Sequence, residues 1–269
     1  MGQLRDGIRV FLVDSWPGQA TARPGVVANT EASRARAVEQ AREEFGPQVL
    51  ASAERLRASL DLTPRGPVEP YLCHALCELG ATAWVPLMQD VRAWLAAHPD
   101  EVVTFFVQDE VSPADTAAVF EEAGLTELIH TQQAGRPWPT LQQMIRSGRR
   151  LVVLHENTVD TAAVPWLLDA KTWVQDTPFG FRSAEELTTG DRGCSLLRGQ
   201  EDSPLFLVNH WLSNYTSRVA DAGVVNARSV LEGRLRACQE QRGLRPTFVA
   251  VDNYDRGDLL EVVDSLNGL

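Results

Sequence analysis

The chain has 269 residues, 44% of them hydrophobic, which suits one large α/β domain and excludes wholesale disorder. A net charge of −11 argues against nucleic acid, which needs a basic face, and against simple adsorption to an anionic membrane. No apolar run approaches the length of a membrane span, and residues 1–30 carry no signal-peptide pattern.

The chain opens on a short helical pattern stopped by Gly7, and an apolar strand, Ile8–Val13, follows at once. Residues 17–66 read as a helical insertion, with two Arg/Glu-rich amphipathic stretches, Thr30–Phe45 and Gln48–Leu60, broken at Gly46-Pro47. Most of their charges read as a solvated face. A strand is predicted over Val68–Cys73, then a helix over Val85–Ala97 and a strand over Val102–Val107. Ser112-Pro113 starts a helix, and Thr140-Leu141-Gln142-Gln143 is a capping box that opens another. Strands follow at Leu151–Leu154, Thr172–Val174, Leu205–Val208 and Phe248–Val251. A long helix is predicted over Val224–Gln241, and a last one over Leu259–Leu266.

Most of these strands end on acids, amides or histidines. Asp14, His74, Gln108-Asp109-Glu110, His155-Glu156-Asn157, Asn209-His210 and Asp252-Asn253 each follow an apolar run. A parallel barrel with its active site at the C-terminal strand ends produces such a pattern. The expected fold is therefore α/β, a TIM-like (β/α) barrel, with 1–269 as a single domain. In it Asp14, His74, Glu156, Asn209 and Asp252 should face one cleft. Asn209 and His210 are adjacent, so only one should line it, and Asn209 is favoured.

His74 is the strongest candidate for proton transfer, because both forms of an imidazole are accessible near neutrality. Asp14 and Asp252 could orient such a histidine or bind a cation. Asp109, Glu110, Glu156 and Asn157 complete an oxygen-rich ring open to a hard metal ion. Arg9, Glu156, Asn157 and Asn209 are expected to contact substrate. His98 and His130, at or beyond helix ends, read as structural. The basic residues are 24 Arg and one Lys, and Arg suits bidentate phosphate contacts.

The four cysteines, Cys73, Cys77, Cys194 and Cys238, permit two disulfides in three connectivities. Cys73 and Cys77 could close a small loop around His74, and Cys194 and Cys238 suit a distant pair. Disulfides would imply an oxidising, extracytoplasmic compartment.

Several stretches resemble the phosphatidylinositol-specific phospholipase C X domain family, in its bacterial branch of PLC-like phosphodiesterases. They are Gln3-Leu4 with Gly7-Ile8-Arg9-Val10-Phe11-Leu12-Val13-Asp14, then Tyr71-Leu72-Cys73-His74 and His98-Pro99-Asp100-Glu101-Val102-Val103. The most specific is Trp138-Pro139-Thr140-Leu141 running on to Arg150-Leu151-Val152-Val153. Asp176-Thr177-Pro178-Phe179, Asn209-His210-Trp211 and Ala250-Val251-Asp252 are also similar. The resemblance implies a TIM-like barrel that cleaves phosphodiesters of phosphoinositides or related lipids, with peripheral membrane contact. One histidine, on the first strand, activates the attacking hydroxyl, and a second protonates the leaving alcohol. His74 matches the second. Asp14 matches an acid that binds calcium in eukaryotic members, and Asp252 a position where an acid can orient the catalytic histidine.

The chain departs from that pattern. Leu12 and Gln108 stand where calcium-dependent members have acids, so Asp14 and Asp109 would hold calcium weakly. Ala75 replaces the usual glycine after the second histidine. The first-strand His-Asn motif should precede Gln3, so strand one is expected to be missing from this chain, with little activity as the consequence. The expectation is a phospholipase C-type phosphoric diester hydrolase. The alternatives are an inactive barrel that binds a phospholipid head group or a protein, and a glycerophosphodiesterase-like enzyme, which Leu12 disfavours.

Overall fold

The computed structural model describes residues 1–189, 191–213 and 218–269, with the side chains of Asp109, Asp191 and Arg218 also outside the description. The chain falls into two compact units, Met1–Asp169 and Ala170–Leu269. Among the described residues the strands pair into a seven-stranded and a three-stranded sheet, mixed α/β in character, with no hydrogen-bonded closure into a ring.

The first unit begins with α1 (Gly2–Arg5) and β1 (Val10–Thr21), followed by β2 (Val27–Asn29), α2 (Glu31–Ala58), β3 (Pro64–Leu72) and β4 (Thr82–Ala83). It continues through α3 (Trp84–Ala97), β5 (Val103–Asp109), α4 (Pro113–Glu122), α5 (Leu141–Ser147), β6 (Leu151–His155) and β7 (Leu167–Asp169). The sheet order is β4-β3-β1-β5-β6-β7, with β2 also on β1. β1, β5, β6 and β7 are parallel, with Val13 beside Val107 and Val107 beside His155. Trp84, Met88, Val91 and Leu95 of α3 and Phe120 of α4 pack on Val103, Phe105, Val107, Leu151 and Val153. That buried face makes the unit's main core, and alternation puts Leu12 and Asp14 on the other face. Caps sit where the sequence places them: Ser112 accepts from the Asp115 N–H, and Thr140 and Gln143 form a reciprocal box.

Two expectations change here. Residues 17–66 are not wholly a helical insertion: β1 runs to Thr21, β2 follows, and β3 starts at Pro64, so helix occupies Glu31–Ala58. Pro17 and Gly18 look like turn residues, yet both lie inside β1, opposite Pro70 and Glu69. Gly18 is there for space, because a Cβ would stand 2.7 Å from Val27 Cγ1 and 3.0 Å from Tyr71 Cδ2. The second change concerns direction. β3 is antiparallel to β1, with Ser15 opposite Leu72 and Trp16 opposite Tyr71. β1 overruns the parallel edge, and β3 returns along the overrun, a pairing that needs no crossover. The break in α2 is as expected, with Gly46 at φ 79° between two helical halves.

The second unit contains α6 (Ala170–Trp173), β8 (Val174–Asp176), α7 (Ala184–Thr188), β9 (Leu205–His210), α8 (Arg218–Val225), α9 (Arg228–Arg242), β10 (Phe248–Val251) and α10 (Leu259–Asn267). Its parallel sheet has the order β10-β9-β8. The expected long helix over Val224–Gln241 is two helices, parted at Asn226-Ala227. Disulfides join Cys73 to Cys77 and Cys194 to Cys238.

Candidate functional site

β1 and β3 together position the best-formed polar cluster. The Cys73 N–H bonds the Asp14 carbonyl at 3.2 Å, extending the β1–β3 ladder by one step. His74 comes next, so its ring emerges beside Asp14. Because β3 runs backward along the overrun of β1, its end arrives at the edge where the parallel strands also finish. There Asp14 is level with Gln108, and the Glu156 N–H bonds the Val107 carbonyl. The sequence thus places His74 at the correct edge, although on a strand of the opposite direction.

His74 Nε2 lies 3.4 Å from Asp14 Oδ2 and 3.0 Å from Glu44 Oε2. The Phe45 ring meets the imidazole edge to face, with centroids 5.2 Å apart. The His74 side chain is 41% exposed. It is open enough to meet a substrate and flanked by two acceptors for its N–H.

The loop that carries it is over-determined. The Cys73–Cys77 disulfide closes it. Asn29 of β2 donates to the Ala75 carbonyl at 2.9 Å and accepts from the Cys77 N–H at 3.1 Å. Ala75 holds φ 56°, a left-handed conformation that costs an L-residue about 1–2 kcal/mol. Glu78, just beyond, has a fully buried carboxylate bound by Arg57 Nε at 2.7 Å and Arg34 Nη1 at 3.2 Å.

The remaining predicted residues divide. Glu156 and Asn157 stand at the same edge as Asp14, and the Asn157 N–H donates to His155 Nδ1 at 3.0 Å. The backbone of Asp109 pairs with Ser15, and its side chain lies outside the described residues. Arg9 requires a correction. It precedes the first residue of β1, five residues or roughly 16 Å along a strand from Asp14. There it forms a two-pronged bond to Glu101 at 2.6 and 2.7 Å, lies over the Trp94 ring, and lowers the Glu101 pKa. Arg9 therefore braces the opposite end of the sheet.

In the second unit Asn209 and His210 are both buried, so neither lines an open cleft within that unit. Asn209 Nδ2 donates to the Thr177 carbonyl at 2.6 Å and to Asp176 Oδ2 at 3.3 Å. Asp176 also accepts from the backbone and guanidinium of Arg198, and burial pushes its pKa up against the pull of that arginine. His210 Nε2 donates to the Val225 carbonyl at 2.9 Å, while Nδ1 faces Arg234 Nη1 at 3.2 Å. Burial first, then the Arg234 charge, takes its pKa down to about 4. The Asp252 carbonyl, at the end of β10, accepts from Asn226 at 3.0 Å.

The other histidines of the first unit have structural partners. His98 bonds the Trp94 carbonyl at 2.7 Å, and His130 bonds Gln132 at 2.9 Å. His155 is buried beside Thr116, and burial holds its pKa below the ordinary histidine value. Among the described residues no group of three or more His, Cys, Asp or Glu is arranged to hold a metal.

Glu44 and Glu78 escape sequence reasoning. Charged residues on amphipathic helices and turns read as solvated, and only the tertiary return of α2 over the loop reveals them.

A family model described as PI-PLC X 1 matches residues 61–267. His74 lies inside that stretch, whereas Asp14 and Glu44 precede it. A PI-PLC X domain-containing protein of Arthroderma benhamiae is 31% identical over 219 residues, covering 74% of this chain and 69% of its own length. An "uncharacterized secreted protein" of the same organism is 26% identical over 74% of this chain and 50% of its own length. A PI-PLC X domain-containing protein of Arabidopsis thaliana is 27% identical over 74% of this chain and 49% of its own length. The chain thus spans about half the length of the latter two. These organisms lend no support to the bacterial branch of the resemblance. No solved structure matches the chain. The family match over residues 61–267, with the 31% identical relative, shows that the chain belongs to the PI-PLC X domain family.

Proposed function

We propose that the protein is a phosphoric diester hydrolase of the phospholipase C type, built on a TIM-like barrel and acting on a phosphoinositide or related phosphodiester. The observation that carries this reading is the Asp14–His74 pair at a strand-end edge, on a loop fixed by a disulfide. A phosphodiester resists cleavage because its alkoxide leaves poorly, so a positioned acid is the group the reaction most needs.

In this scheme a hydroxyl oxygen forms a new bond to phosphorus and gives up its proton to a base. The bond from phosphorus to the alcohol oxygen breaks, its electron pair stays on that oxygen, and His74 supplies the proton. Asp14, 3.4 Å from Nε2, would favour the protonated ring by its charge and help to orient it. Glu156 and Asn157, at the same strand-end edge as Asp14, would contact the substrate. No step runs through calcium, so chelation should leave the rate within about twofold. Two disulfides suit an oxidising compartment, and an extracytoplasmic location follows. The lipid would be met by peripheral contact; among the described residues no helix is long and apolar enough to cross a membrane.

The test is release of soluble inositol phosphate from phosphatidylinositol vesicles by the full-length protein. His74→Ala should lower kcat by about 10²- to 10⁴-fold, the usual contribution of general acid catalysis. Vesicle binding without turnover would instead assign a head-group binding module. Turnover unaffected by His74→Ala would remove both His74 and Asp14 from the reaction.

A further inference from the structure

We infer that Glu44, carried by the α2 insertion, is a positioning residue for His74, so that the insertion is part of the active site. The inference rests on the hydrolase reading above and adds a residue from outside the stretch that the family model matches.

Glu44 Oε2 is closer to His74 Nε2 than Asp14 is, 3.0 against 3.4 Å, and only the shorter distance is a good N–H···O bond. Asp14 approaches from the sheet and Glu44 from the helix. With Phe45 against the ring, they fix its rotation from three directions. A proton donor must be held near its productive geometry, because small misplacements are costly in rate.

The remainder of α2 is built to keep Glu44 there. Glu44 and Phe45 end the first helical half, immediately before Gly46. Arg34 in the first half and Arg57 in the second both bind buried Glu78, four residues beyond His74. Arg34 also grips Glu54 of the second half, at 2.9 and 3.1 Å. The two halves are thereby tied across the break and to the His74 loop at once. Arg36 adds a contact to Glu110 at 2.8 Å, beside the end of β5. A buried carboxylate is expensive unless it is paired, and these two arginines are the cations that pair it. In this setting the Glu78 anchor sets the reach of Glu44.

Leaving groups provide the experiment. Phosphatidylinositol has an alkyl leaving group that needs a proton, whereas a p-nitrophenyl inositol phosphodiester has one that scarcely does. Steady-state rates are measured on both with the full-length protein. Glu44→Gln should lower kcat on the alkyl substrate about tenfold with KM little changed, and leave the aryl substrate within about twofold. Glu44→Asp, which keeps the charge, should recover part of the loss. In a His74→Ala background Glu44→Gln should cost nothing further, since a residue that acts through His74 cannot add to its removal. Equal losses on the two substrates, additive losses in the double variant, or a gain in rate from Glu44→Gln would each overturn the inference while leaving the hydrolase reading intact. A wild-type protein that cleaves neither substrate would overturn both.

Discussion

His74 and His210 both follow an apolar strand in the sequence, and the fold gives them opposite surroundings. The His74 side chain is 41% exposed and its Nε2 meets two carboxylates. His210 is 0% exposed, donates to a backbone carbonyl and sits against a buried arginine. One ring is open to solvent between two carboxylates, and the other is held neutral as a spacer in a core. Position at a strand end therefore does not make a histidine functional. The electrical character of its neighbours decides, and those neighbours come from elsewhere in the chain: β1 and α2 for His74, α8 and α9 for His210.

The contrast breaks first under alanine. His74→Ala should abolish most turnover with thermal stability unchanged. His210→Ala should cost about 2–4 kcal/mol of stability, because a cavity opens and Arg234 loses an acceptor. Denaturant titration beside the kcat measurement reads both, and a stability loss in the His74 variant as large as that in the His210 variant would erase the distinction.

The two disulfides give the next comparison. Replacing Cys194 and Cys238 by alanine opens a long loop, with a sequence separation of 44, and should cost about 4 kcal/mol. Replacing Cys73 and Cys77, with a separation of 4, should cost only about 2 kcal/mol. The order should reverse for rate, with the Cys73–Cys77 variant losing about tenfold in kcat because its loop aims His74. Equal rates in the two double variants would show that the loop needs no bridge.

Acid provides a third separation. The folded-state pKa of His210 is lowered from 6.5 to about 4, so the folded protein takes up that proton less readily than the unfolded chain. Its stabilising contribution is complete above pH 6.5 and is lost as pH falls through 4, a change of about 3 kcal/mol. His155, also lowered by burial, acts in the same direction. Unfolding free energy measured from pH 7 to pH 4 should show this decline, and His210→Gln should flatten it. An unchanged slope in that variant would point to other groups.

The smallest effect tests the far end of the sheet. Arg9→Ala should cost about 1 kcal/mol, a modest figure because the Arg9–Glu101 pair is partly exposed. KM should not move. A severalfold rise in KM without loss of stability would return Arg9 to the substrate.

Much of this architecture is legible in the sequence for local reasons. The Thr140 box, the Ser112-Pro113 start and the Gly46-Pro47 break all depend on residues within one turn. Asp14 and His74 stand out because each directly follows an apolar run. The direction of β3 is not legible, since alternation marks a strand without orienting it. Gly18 lies inside β1 because Val27 and Tyr71 leave no room for a Cβ, a reason set by residues distant in the chain. Arg9 misleads because charge alone does not tell one end of a strand from the other. Glu44 and Glu78 require the return of a whole helix over a loop, which no window of sequence contains.

The length of β1 has a consequence for the order in which the molecule becomes competent. One half of this strand binds β5 and the other binds β3, both distant in the chain, and such pairings form slowly. The Cys73–Cys77 bridge is local and requires no sheet. The Asp14–His74 contact exists only once β1 lies against β3. A newly made chain can therefore be oxidised well before His74 is held beside Asp14, and the first appearance of that contact would time the docking of β1.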